Sequence, residues 1–295
     1  LNNLKNKSPL KTIFAFILTS IIQLGYSQLV LPVEHFFKDY NSFNVDFIKK
    51  NKIRSIQLTY SEKMDGEIIV SKPAIKRFYF NQEGGPTKEV YIESRGIYKD
   101  SSTIYFKFNA SNLLHEELIT YQRETIKRAF NYNAKNRVQS IVTTKHYKGQ
   151  EDTVSIERYK EPYSDESFAK RIYLNSENRP YLEERLYYEN NRIIREEKDL
   201  IITSKSSTKS WSYKGHLIDK IEYSNYINRN EKGVYQFEYV NQNHLEYAYL
   251  FIEGELEKKL AFVYSPDDSD HLEALVIRYE QEGKIEIIQL EYTYY

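Results

Sequence analysis

The chain has 295 residues, with 42 basic and 42 acidic side chains that leave no formal net charge, 28 tyrosines, one tryptophan and no cysteine. That balance lacks the basic excess of a nucleic-acid binder. The missing cysteines exclude disulfides, thiolate zinc sites and a cysteine-anchored lipoprotein, so a chain of this length must stand on its buried core.

Along the chain, Lys5, Lys7 and Lys11 precede a weakly polar to apolar run from Ile13 to Leu24, and Gly25-Tyr26-Ser27 stands before Gln28. A basic start, an apolar middle and a small-residue end are the layout of a secretion signal. Residues 1–27 are therefore expected to be removed near Ser27-Gln28, leaving a periplasmic or secreted protein. Twelve residues are too few for a membrane span, which takes roughly 20, and no later stretch is apolar enough to serve as a transmembrane segment. Residues 28–52 form an N-terminal segment whose one short helix is expected over Asn44 to Asn51, with Asn44 as cap and Val45, Phe47 and Ile48 apolar. A first strand follows over Ile53 to Tyr60.

From there to the end, residues 53–295 repeat a turn phrase. It runs from an aromatic through Asn, Asp or Glu and two variable residues to Gly or Asn, then a variable residue and usually an aliphatic. The phrase occurs at Phe80–Pro86, Phe108–Leu114, Tyr132–Val138, Tyr239–Leu245 and Tyr279–Ile285, with a weaker copy at Leu174–Pro180. Shorter or longer versions begin at Tyr188, Tyr213, Phe251 and Tyr264. Asn at the first turn position accepts from its own backbone two residues on, and Gly or Asn tolerates the left-handed conformation that closes a hairpin loop. Each phrase is thus a hairpin tip, recurring at about 13 residues or its multiples, one strand plus one tip. Between tips the chain alternates: Tyr235, Phe237 and Tyr239 share one face, as do Leu260, Phe262 and Tyr264, Leu275, Ile277 and Tyr279, and Ile288, Leu290 and Tyr292. The expected fold class is all-β: an antiparallel meander of repeated hairpins in a long, twisted or curled sheet, open or half-barrel, with one short N-terminal helix.

The phrase at Tyr132–Val138 and Tyr279–Ile285 resembles the YD repeat of the RHS family, whose units read Tyr-Asp, two variable residues, Gly-Arg and an aliphatic. The resemblance extends over most of residues 79–292. It implies a ribbon of hairpins presenting a sugar- or protein-binding surface; the chain is too short for the closed shell of the large members, and their self-cleaving core is missing.

Motifs for chemistry are sparse. His35, His115, His146, His216, His244 and His271 are spread out, and His115-Glu116-Glu117 lacks the second His of a helical zinc site. His216 and His244 flank turns. No nucleophile elbow or phosphate-cradling loop occurs. Asp267-Asp268-Ser269-Asp270 is an acidic hairpin tip without the Gly and distal Glu of a calcium loop. No catalytic, cofactor-binding or metal-ligating residue is therefore assigned, and no cofactor. Tyr247 and Tyr249 opposite Leu250 and Ile252 point to rings on both faces of one strand. The expected function is a non-enzymatic binding or interaction module of the envelope, whose partner is an envelope protein, a glycan or a lipid. The alternative is a periplasmic carrier holding a lipid or other apolar ligand in a curved sheet, and a glycan-acting enzyme has the least support.

Overall fold

A computed structural model describes residues 29, 36–37, 42–96, 98–134, 136–227, 230–240, 244–266 and 271–295. The signal segment and the acidic tip at 267–270 lie outside the described residues. Helix α1 (Val45–Lys50) forms where expected. Asn44 Oδ1 caps it by accepting from the amides of Asp46 (3.1 Å) and Phe47 (3.4 Å), with Asp46 in the first turn and Lys49 and Lys50 in the last, as the helix dipole favours.

The strands follow in one meander: β1 (Ile53–Met64), β2 (Val70–Phe80), β3 (Pro86–Arg95), β4 (Tyr98–Phe108), β5 (Leu114–Thr120) and β6 (Glu124–Tyr132). Next come β7 (Val138–Tyr147), β8 (Gln150–Ser164), β9 (Phe168–Leu174), β10 (Pro180–Glu189), β11 (Arg192–Leu200) and β12 (Ser206–Lys214). The last six are β13 (Leu217–Asn225), β14 (Glu231–Val240), β15 (His244–Ile252), β16 (Glu255–Tyr264), β17 (Leu272–Tyr279) and β18 (Lys284–Tyr294). Every strand pairs antiparallel with the next, and β18 pairs with β1, so the sheet of 18 strands closes on itself. The expected open or half-barrel sheet is corrected to a closed ring.

The turns act as their chemistry dictates. Asn109 Oδ1 accepts from the amides of Ser111 (2.9 Å) and Leu113 (3.0 Å), Asn175 Oδ1 from Glu177 and Arg179, and Asn133 Oδ1 from Arg137. The fourth turn position is left-handed, with φ of 58° at Asn112, 59° at Asn136 and 62° at Asn178.

Because directions alternate, hairpins β2–β3, β4–β5 and onward to β16–β17 turn at one rim, and β1–β2, β3–β4 and onward to β17–β18 at the other. At the first rim every hairpin carries a register shift, most of them just before the turn aromatic, such as Lys107/Phe108, Asn131/Tyr132, Ser212/Tyr213 and Glu238/Tyr239. At the opposite rim β3–β4, β5–β6, β13–β14 and β17–β18 run in unbroken register. A bulge bends and twists its strand. Repeated along one rim, bulges supply the curvature that closure needs, which is the physical reason the sheet does not stay open.

Tyrosines tie the same rim. Tyr132 donates its hydroxyl to the Leu114 carbonyl (2.6 Å), Tyr213 to Ile193 (2.7 Å), Tyr239 to Ile218 (2.8 Å), Tyr264 to Leu245 (3.0 Å) and Tyr292 to Leu272 (2.6 Å). In each case the end of one strand is clasped to the start of the strand before it. This bond gives the recurring tyrosine a structural task. We call this end the clasped rim and the other the far rim.

One face of the strands is the more buried around the ring, as at Phe78, Phe106, Phe130, Ile141, Glu184, Tyr235 and Leu275, and it is the inner one. The apolar core occupies only part of it. Leu58, Phe78, Phe237, Leu260, Phe262, Leu275, Ile288 and Leu290, from β14–β18 and β1–β2, pack with Phe37, Phe43, Phe47 and Ile48 of the N-terminal segment. Phe36 meets Phe262 edge-on (5.0 Å) and Phe43 meets Phe78 (4.8 Å) and Phe80 (5.6 Å), so these rings, with Phe37, Phe47 and Ile48, fill the inner face beside the clasped rim from β16 to β2.

Candidate ligand-binding site

The remaining arc of the inner wall, β3 to β12, has a different character. Lys76 Nζ lies 2.8 Å from Glu89 Oε1, with side chains only 12% and 9% exposed. Next around the ring, Arg128 Nη1 reaches Glu117 Oε2 at 2.8 Å. Glu184 is 4% exposed and receives Arg171 (3.2 Å), Lys198 (3.2 Å) and the Tyr173 hydroxyl (3.0 Å). Arg171 also approaches Glu161 (3.4 Å), which Arg137 holds at 2.6 Å. Burying a carboxylate is costly unless charge and hydrogen bonds compensate it, and here each has a cation. Rings interleave with the charges: Tyr159 meets Tyr173 edge-on at 4.9 Å, and the Arg171 guanidinium lies 5.8 Å from the centre of the Tyr159 ring. Burial, reinforced by the Glu184 charge, pushes the Tyr173 hydroxyl above its ordinary pKa.

A second polar group lines the inner wall near the far rim of β1, β2, β17 and β18. Glu286 Oε1 takes Lys284 (2.9 Å) and Lys72 (3.1 Å), and Tyr279 donates to Oε2 (2.9 Å). Burial pushes the Glu286 pKa up, but these three donors outweigh it and hold the carboxyl at about 2. Lys72 also pairs with Glu62 at 2.8 Å. The inner wall is thus apolar and filled beside the clasped rim from β16 to β2, and over the rest it mixes ion pairs and tyrosine rings with buried apolar side chains such as Phe106, Phe130 and Ile141.

Outward-facing side chains include ion pairs beside apolar residues such as Ile75, Tyr105 and Val263. Lys107 and Lys127 flank Glu116 at 2.6 and 2.9 Å, and Arg185 sits between Glu197 (2.9 Å) and Asp199. A membrane-spanning barrel presents an apolar outer band, and these strands present ion pairs there. Among the described residues no helix is long and apolar enough to cross a membrane. On β15 the outer face carries Tyr247, Tyr249 and Phe251 in a ladder with centroids 6.2 and 6.5 Å apart, while the aliphatic Ala248, Leu250 and Ile252 face inward, so the expected rings on both faces are corrected to rings on the outer face alone. Lys259 lies 4.4 Å from the Tyr247 ring, and Tyr249 donates to Glu238 (3.1 Å). Burial and then Glu238 push the Tyr249 hydroxyl up to about 12.

The clefts of the surface are lined by polar and apolar groups alike. One of about 700 Å³ is lined by Arg137, Ser164, Asp165, Glu166 and Ser167 at the clasped rim. Another of about 700 Å³ runs past Lys214, His216, Asp219, Gln236 and Glu238. Asp165 accepts from the amides of Ser167 and Phe168 (both 2.8 Å) and from Tyr163, and these bonds hold its pKa down at about 2, with the Tyr163 bond the largest cause. It is a turn-capping carboxylate. Neither cleft is a deep apolar pocket. Of the histidines, His115, His146 and His216 are exposed, His244 lies tilted against Tyr264 (5.2 Å), and His271 packs edge-on to Phe47 (5.8 Å) and Tyr292 (5.3 Å), fastening α1. His35 lies outside the described residues. Sequence reasoning missed the charged inner wall because charges alternate with charges on both faces of β5, β10 and β11, so no periodic signal separates inside from outside.

Fold and site together define a closed, all-β antiparallel meander barrel with a partly filled, partly charged inside. No family model and no curated protein sequence matches the chain. Among solved structures it is similar to a porin-like protein from Bacteroides uniformis, 12% identical over 82% of this chain and 97% of that one, with a TM-score of 0.40. A LolA superfamily protein from Nitrosomonas europaea matches at 8% identity over 92% and 90% with a TM-score of 0.28, and a DUF1329 family protein from Desulfovibrio piger at 10% over 84% and 87% with 0.19. At these scores the likenesses carry no functional argument. These neighbours are not YD-repeat proteins, and the resemblance to the RHS family is withdrawn. The turn phrase that carried it follows from Asn-capped tips and clasping tyrosines, which any tight meander can use.

Proposed function

We propose that the protein is a non-enzymatic carrier of the bacterial envelope that holds an amphipathic, lipid-like ligand inside its ring. The observation that supports this reading most is the division of one enclosed wall. Phenylalanine and leucine side chains predominate over β14 to β2 apart from the Glu286 group, and buried Arg, Lys and Glu pairs with tyrosine rings stand among Phe106, Phe130 and Ile141 on β3 to β12, so an apolar tail and a polar head would each meet matching chemistry. Filling of the clasped end by Phe36, Phe37, Phe43, Phe47 and Ile48 leaves the far rim as the side of entry. A signal that sends residues 28–295 to the periplasm agrees with such a role. The test is direct: delipidated mature protein is titrated with a fluorescent fatty-acid probe, and native protein is extracted for bound lipid. Saturable uptake and a co-purifying amphipath are expected; the absence of both would contradict the carrier.

A second reading, an interaction module, is favoured by the outer ladder of Tyr247, Tyr249 and Phe251 beside Lys259, half-buried rings whose outward side suits sugar or protein partners. Tyr249→Ala should abolish retention on a glycan array without altering the fold, and an unchanged array profile would remove this reading.

A further inference from the structure

Both rims close in turns built on Asn and Gly, such as Asn109–Asn112 at the clasped rim and Asn175–Asn178 and Glu253-Gly254 at the far rim, but two far-rim tips depart from that pattern. At the far rim the β1–β2 tip exposes Met64 (42%), Ile68 (82%), Ile69 (57%) and Val70 (56%), and the β11–β12 tip exposes Ile201 (48%) and Ile202 (84%). Tyr121 and Tyr147, at the far-rim ends of β5–β6 and β7–β8, are also exposed. Turns are ordinarily built from polar residues, and leaving an isoleucine in water forgoes the burial that favours it elsewhere.

Both tips are held in shape. Asp65 receives Arg278 (2.8 Å), which neutralises the carboxylate next to the apolar run, and the Glu67 amide donates to the Met64 carbonyl (3.0 Å). At the second tip the Leu200 amide donates to Lys205 O (2.8 Å) and Ile201 to Tyr181 O (3.0 Å). In the order of the ring the two hairpins lie on opposite sides of one mouth.

We propose that the far rim docks on a lipid bilayer, with the β1–β2 and β11–β12 tips as two apolar anchors and Tyr121 and Tyr147 at headgroup level. A second copy of the chain is the competing occupant, but a stable dimer needs roughly 800 Å² of continuous surface per partner. Two tips separated by a mouth do not provide that. A bilayer surface accepts separated apolar points in one plane and favours tyrosine at its edge. The proposal rests on the carrier reading, since it gives a ligand a dry path between membrane and ring. Without Lys5, Lys7 and Lys11 the mature chain carries a formal net charge of only −3, so attachment to a zwitterionic bilayer should be apolar and insensitive to salt.

The experiment is flotation of the mature chain with phosphatidylcholine vesicles, comparing wild type with Ile68→Glu, Ile202→Glu and the double variant, all at positions exposed enough to leave the fold unchanged by circular dichroism. Wild type should bind equally at low and high salt, each single change should weaken binding, and the double change should weaken it at least tenfold. Equal flotation of wild type and double variant, or failure of wild type to float, would overturn the proposal. So would a concentration-dependent wild-type dimer that the same changes dissolve. Probe uptake is measured separately without vesicles: flotation without uptake ends the carrier reading and leaves the rim, while uptake without flotation does the reverse.

Discussion

Part of the chain's wealth of tyrosine, 28 residues, is explained at the level of single bonds. Five of them clasp the carbonyl of a neighbouring strand at one rim, and deleting a hydroxyl there strands an acceptor at the cost of about 1 kcal/mol. Tyr239→Phe should therefore lower stability by about that amount in urea unfolding, whereas Tyr247→Phe on the outer ladder should stay within about 0.5 kcal/mol. Asn136, at a φ of 59°, tests the turn phrase in the same way. Asn136→Gly should be close to neutral and Asn136→Val should cost about 1–2 kcal/mol, because a branched side chain resists the left-handed region. These residue-scale features were legible in the sequence, since an Asx bond and a positive φ depend on neighbours within four positions. The clasp was not: the tyrosine is visible, its partner about 20 positions upstream is not.

At the scale of elements, bulges and the polar group at Glu286 carry the account. The alternation of Tyr235, Phe237 and Tyr239 gave one face, yet the register shifts between Glu238 and Tyr239, freeing the last ring to reach Ile218. Periodicity alone does not mark a bulge, so strand existence could be read and its final turn of face could not. The Glu286 carboxyl, with a folded pKa of about 2 against an ordinary 4.5, stabilises the fold fully above about pH 4.5 and loses that contribution as pH falls toward 2. Acid unfolding of Glu286→Gln should accordingly show a shallower loss of stability between pH 4.5 and 2 than wild type; parallel curves would contradict the network. For α1, a Cβ on Gly84 would stand 2.3 Å from the Val45 carbonyl, at a φ of +80°. Gly84→Ala should destabilise by about 1–3 kcal/mol and speed proteolysis of the segment before Ile53.

For the whole molecule, the all-β meander and the helix were legible because both are written in local patterns. Closure was not. Ser55 and Thr293 are 238 positions apart, and neither β1 nor β18 differs in composition from strands that could end a sheet. The seam is nonetheless well furnished: Leu58 opposes Leu290, Tyr60 opposes Ile288, Gln57 donates to Glu291 (2.9 Å), and Ser55 Oγ lies 2.7 Å from Thr293 Oγ1. The same distance in sequence hid the divided inner wall, which exists only once the ring is shut. Directly opposed residues of an antiparallel pair have Cα atoms about 4.5–5.5 Å apart, within reach of a disulfide. The chain has no cysteine of its own, so the double variant Ser55→Cys and Thr293→Cys offers a clean probe of closure. Under mild oxidation it should form one intramolecular disulfide in nearly all molecules with the circular dichroism of wild type. Two thiols that stay free in the folded protein would contradict the closed ring.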